Sequence, residues 1–89
     1  MALRILSVGE DIDGEVHISA RFDDCEFICA VKLDGVVQCL GNKYLPTANL
    51  RANIVPHLDI FTKACEAAAM GNRPLHKGDR IGLLASCGD

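Results

Sequence analysis

The sequence predicts an α+β domain: a small antiparallel sheet of three to five strands, with one long or Pro-kinked helical segment packed on one face. Three observations predict it. Two stretches of period-two apolar alternation, from Glu15 to Phe22 and from Cys25 to Lys32, are separated only by Asp23-Asp24. A single helical stripe of apolar residues then runs from Leu50 to Ala68. A short apolar segment, Arg80 to Ser86, closes the chain. The expected order is three strands, a fourth strand or short helix, the helical segment, and a last strand. At 89 residues this is one domain, near the lower end of what folds alone.

Each element has its own signal. Leu3, Ile5 and Ser7 alternate with Arg4, Leu6 and Val8 in a first strand, and Glu10 to Gly14 form a turn. In the second strand Val16, Ile18, Ala20 and Phe22 share one face, while His17, Ser19, Arg21 and Asp23 share the other. Asp23-Asp24 is too short for a crossover, so the third strand pairs antiparallel with the second. It places Cys25, Phe27, Cys29 and Val31 on one side.

The next segment supports two readings. Asp34-Gly35 ahead of Val36-Val37 is a hairpin signal, and β-branched residues favour a strand over 36–40. Alternatively Asp34 caps a short helix with Val37 and Leu40 on one face, ended by Gly41.

After a loop at 42–46, Thr47 offers an N-cap. Leu50, Ile54, Leu58, Phe61, Cys65 and Ala68 follow at helical steps of 4, 4, 3, 4 and 3. Pro56 interrupts this stripe. Either one helix kinks there, or a second helix starts with Pro56 at its first position. Gly71 ends the run, and Ala67-Ala68-Ala69 leaves a narrow surface for close packing. The last strand, apolar throughout, suggests burial on both sides and a central or interface position.

Composition excludes several function classes. Lys+Arg number 9 against Asp+Glu 12, a net charge of −3, and aromatic residues make up 4%. With a pI near 5.5, so few stacking side chains and no recognised motif, nucleic-acid binding is not expected. No apolar stretch reaches the roughly 18 residues of a membrane span, and the first residues lack a small-residue cleavage site. The five cysteines, an odd count without a secretory signal, point to free thiols in a reducing, cytoplasmic setting, with Cys29 and Cys65 buried. Charge is segregated. Residues 1–41 hold eight acids against three bases, and residues 42–80 hold six bases against three acids. Solvated surface is the simplest account of both sets. Acidic-against-basic self-association is the alternative.

The pattern Val16-x-Ile18-x-Ala20-x-x-Asp23-Asp24-x-x-x-Ile28-Cys29-Ala30-Val31, followed by Leu40-Gly41, resembles a small bacterial family of unknown function (domain of unknown function number 1488). The resemblance covers residues 16–41, departs at Asp34-Gly35, and continues only in element order beyond. It implies an α+β fold, a β-hairpin with a cysteine on its second strand, a short helix at 34–40, and a bacterial cytosolic protein. It implies no activity.

Few residues suggest chemistry. Cys25 and Cys29 lie roughly 13 Å apart along a strand at about 3.3 Å per residue, too far to share one ion. Asp11-x-Asp13-Gly14-Glu15 lacks the spacing of a calcium loop and reads as a solvated turn. His17, His57 and His76 are scattered. The most functional-looking segment is Asn72 to Arg80, which gathers Arg73, His76, Lys77 and Arg80 between a helix end and a strand. Such a loop suits a phosphate, a carboxylate or an acidic protein partner, although the preceding helix C-terminus disfavours anions. A plain solvated loop is the competing reading.

These signals favour a non-enzymatic interaction or regulatory module acting as a homodimer, with no cofactor and no metal. The alternative is a small-molecule or anion-binding domain using the basic 72–80 loop. An enzyme stands third, for want of a catalytic constellation.

Overall fold

The computed structural model describes residues 3–22, 24–71 and 80–85. Strands β1 (Arg4–Val8), β2 (Glu15–Phe22) and β3 (Cys25–Lys32) form an antiparallel meander. Helix α1 (Leu33–Leu40) follows β3 without a loop. A 3₁₀ turn (Gly41–Lys43), helix α2 (Leu50–Ile54), a second 3₁₀ turn (Val55–His57) and helix α3 (Leu58–Met70) come next, and strand β4 (Ile81–Ala85) is last. The sheet order is β1-β2-β3-β4 with every pairing antiparallel.

Alternation decides the layers. Val16, Ile18 and Ala20 of β2 and Phe27, Cys29 and Val31 of β3 are buried on one face, opposite one another in register. The helices cover that face with Val36, Leu40, Leu50, Ile54, Phe61, Cys65 and Ala68. The β2–β3 turn is as tight as expected, with Asp24 at φ 65°, a region that Asp tolerates better than most residues.

Several expectations need correcting. The 34–40 segment is a helix, not a strand, and Asp34 is not its cap: α1 starts at Leu33 with Lys32 in the cap position and no side-chain cap bond. The Asp-Gly pair misleads because Gly35 serves packing, not a turn. A Cβ there would meet the Arg80 carbonyl oxygen at 2.9 Å and the Ile81 side chain at 3.0 Å, so glycine lets α1 nest against the start of β4. Gly41 does stop the helix, at φ 57°, its N–H donating to Val37 O.

Asn49, not Thr47, caps α2. Its side chain accepts from Ala52 N at 2.7 Å, and Asp11 on the β1–β2 loop accepts from Leu50 N at 2.7 Å and Arg51 N at 2.9 Å. Pro56 falls between the two solutions offered. It sits in the 3₁₀ turn, where its missing N–H interrupts the α pattern without ending the helical run. The stripe stays buried on both sides of that turn, except at Leu58, which is 37% exposed beside the break.

Strand β4 is an edge strand, not a central one. Strand β2 is already paired on both sides, by β1 and β3, so a strand arriving last can add only at the free edge of the meander, here against β3. Leu83 is buried, but Leu84 is 45% exposed. No helix among the described residues is long and apolar enough to cross a membrane.

Candidate functional site

Gly35 brings together two segments far apart in sequence. Because α1 sits directly on the start of β4, the backbone of Arg80 lies beside the helix, and its carbonyl accepts from Lys32 N at 2.9 Å. The Arg80 guanidinium then reaches along α1, where its Nη1 donates to Gln38 Oε1 at 2.8 Å. Helix α1 turns Val36 and Leu40 inward, leaving Leu33 and Val37 exposed one helical turn apart. Tyr44, half-buried just past the 3₁₀ turn, closes the far side. The result is an open groove of about 490 Å³ lined by Leu33, Asp34, Val37, Gln38, Tyr44 and Arg80. An aliphatic wall thus meets a guanidinium, a phenol, an amide and one carboxylate. That composition suits recognition of a mixed apolar and polar group.

Of the predicted site residues, Arg80 is placed on this groove. Arg73, His76 and Lys77 lie outside the described residues. Sequence reasoning did not single out Leu33, Val37, Gln38 or Tyr44. The available signal was the apolar pair at positions 33 and 37, one helical turn apart, and it became meaningful only once α1 was known to be a helix.

A smaller polar hollow of about 290 Å³ lies between Glu10, Asp11, Asn49 and Arg51. Its carboxylate already serves the α2 backbone, and Arg51 Nε donates to Val8 O at 3.2 Å, so it joins the β1–β2 loop to the helix. Asn53 performs a similar task on the other side of α2. Only 3% exposed, it accepts from Leu45 N at 2.7 Å and donates to Leu45 O, Asn49 O and Ala48 O. His17 pairs with Glu15 at 2.8 Å on the open face of the sheet, and His57 ends the second 3₁₀ turn.

Cys29 of β3 and Cys65 of α3 are buried together, as the apolar spacing predicts. A hydrogen bond from the Cys65 thiol, helped by one from Gly82 N–H, lowers Cys29 against the opposing effect of burial. The same hydrogen bond, burial and the nearby Cys29 and Cys39 sulfurs raise Cys65 far above the ordinary thiol range. Of the two thiols, Cys29 is the more acidic. Cys39 is raised by burial alone. Cys25 departs from the expectation of free thiols: half-buried at the start of β3, it is engaged in a disulfide. Among the described residues no group of three or more His, Cys, Asp or Glu could hold a metal ion.

The second candidate surface is the outer face of the sheet. The strand register aligns Ser7 of β1, Ser19 of β2, Ile28 of β3 and Ala85 of β4 in one row across all four strands, with Leu6 and Leu84 next to it at the two register irregularities. Irregular register at Leu6 and at Leu84 turns both leucines outward, each 45% exposed, and Ile28 is 37% exposed. Searches of family models, curated proteins and solved structures give no match to this chain.

Proposed function

We propose that this chain is a non-enzymatic interaction module that works as a homodimer in the cytoplasm of a bacterium. The observation that carries the reading is the uncovered row at Ile28, with Leu6 and Leu84 next to it, on the sheet face opposite the helices. Exposed apolar side chains aligned across a sheet lower the cost of association. Of the polar groups flanking the row, Arg21 pairs with Glu26 at 3.0 Å, and Glu15 is hydrogen-bonded to His17 at 2.8 Å. A second copy can stack on this face, with its two-fold axis near Ile28. Eight-residue strands span about 26 Å and four strands span about 19 Å. Each copy thus offers at most about 500 Å², and a dimer buries about 1,000 Å² in total, the low end of specific interfaces. A reversible dimer follows. The cytoplasmic setting rests on the free thiols of Cys29, Cys39 and Cys65, and the disulfide at Cys25, of a kind uncommon in a reducing compartment, weighs against it.

Light scattering after size exclusion tests this. The expected mass is twice 9.6 kDa, falling to the single-chain value in Ile28→Glu and Leu84→Glu variants that keep the wild-type circular dichroism spectrum. A wild-type monomer across micromolar concentrations refutes the dimer. Dimers that survive both substitutions refute the sheet face as its site.

A second reading, a small-molecule or anion-binding domain built on Arg73, His76, Lys77 and Arg80, is favoured by one specific observation: Arg80 stands on the α1–β4 groove.

A further inference from the structure

The geometry points to the α1–β4 groove as a binding site for a small apolar monocarboxylate, such as an aromatic or branched aliphatic acid, with the Nε–Nη2 edge of Arg80 as its carboxylate fork. This inference is independent of the dimer and deepens the anion-binding reading, from which it takes Arg80 alone.

Three features carry it. First, Gln38 holds the guanidinium by Nη1 only, at 2.8 Å, and no carboxylate pairs with Arg80 among the described residues. An arginine tethered through one nitrogen keeps the parallel N–H pair on its other edge, the geometry that takes both oxygens of a carboxylate. The tether to a neutral amide orients the side chain without satisfying its charge, so part of the ordering cost is already met before a ligand arrives. Second, the wall beside that fork is aliphatic: Leu33 and Val37 are 44% and 40% exposed, and Tyr44 completes the lining. Apolar surface next to an unneutralised cation matches a ligand with a hydrophobic body and one anionic end. The volume, about 490 Å³, lies within the range of small-molecule sites. Third, Asp34 shares the rim. Its charge repels a phosphate dianion more strongly than a monocarboxylate, which selects between the two anions that arginine commonly binds.

The test uses the full chain, isotope-labelled, titrated with benzoate and, in parallel, with neutral benzamide of the same shape and with inorganic phosphate. Benzoate is expected to give saturable millimolar shifts of the amides of Leu33, Val37, Gln38 and Tyr44. Benzamide and phosphate should bind at least tenfold more weakly there. Arg80→Gln retains an amide for Gln38 and should lose at least tenfold in benzoate affinity with the melting temperature unchanged. Val37→Ser, on an exposed helical position and without added charge, should lose several-fold through the apolar wall. Equal binding of benzoate and benzamide overturns the proposal, as does undiminished binding by Arg80→Gln. Benzoate or phosphate shifts confined to residues 72–79 also overturn it, while leaving the anion-binding reading of that loop intact.

Discussion

Replacing Asn53 with alanine removes the side chain that ties the 44–49 loop to helix α2. Its Oδ1 accepts from Leu45 N at 2.7 Å, and its Nδ2 donates to Asn49 O at 2.9 Å, Leu45 O at 3.0 Å and Ala48 O at 3.3 Å. Two of these groups keep a backbone partner in the variant, because Leu45 O also accepts from Ala48 N and Asn49 O from Asn53 N, both at 3.1 Å. Leu45 N and Ala48 O lose the bond described for them. Three good hydrogen bonds at about 1 kcal/mol each, with an orphaned N–H adding to the upper end, put the cost at about 2–4 kcal/mol. A domain of this length holds roughly 4–13 kcal/mol in all, so the loss is a large share. The melting temperature should fall by about 4–8 °C for each kcal/mol. Urea denaturation followed by circular dichroism reads the effect as a lower midpoint at constant slope. Asn53→Asp, isosteric but facing three carbonyls with an acceptor, should be at least as damaging. A loss below about 1 kcal/mol in both variants would refute the role assigned to this amide.

Two further substitutions probe the construction of the fold. Gly35→Ala should gain up to about 1 kcal/mol from helix propensity alone. Its Cβ, however, would stand 2.9 Å from the Arg80 carbonyl oxygen, so a net loss of about 1–3 kcal/mol is expected by urea denaturation, and a stabilised variant would sink the close-approach argument. Cys39 gives a pH signature. Burial raises its thiol above the unfolded value, so the folded state holds the proton where the unfolded state releases it. Its contribution is complete below the thiol range and is lost as pH rises through it. The stability difference between wild type and Cys39→Ala should therefore shift against the wild type between neutral pH and pH ~9.5, and a constant difference would contradict the direction.

How much of this was legible can be judged residue by residue. The faces of β2 and β3, the helical stripe and the stops at Gly41 and Gly71 all follow from local periodicity and backbone preference. The burial of Cys29 and Cys65 follows from the same patterns. Asp11 was read as a solvated acidic residue, yet it caps a helix 39 residues further on. The sequence reading places the cap at Thr47, whereas the fold uses Asn49, another short polar residue ahead of the same apolar run. The groove was visible only through Arg80, since its other walls depend on whether residues 33–40 form a helix or a strand.

By itself, then, the sequence determined the layers of this protein: which residues face inward on each strand and helix, and the order in which those elements come. Those properties depend on side chains within a few positions of one another, where period and propensity act directly. Only the tertiary structure decided that the closing strand takes an edge, that Gly35 admits Arg80 to α1, and that Leu6, Ile28 and Leu84 lie on one open face. Each of these depends on segments tens of residues apart meeting at one place. Local pattern carries no record of which distant backbone will arrive there, and the candidate sites are built at those meetings.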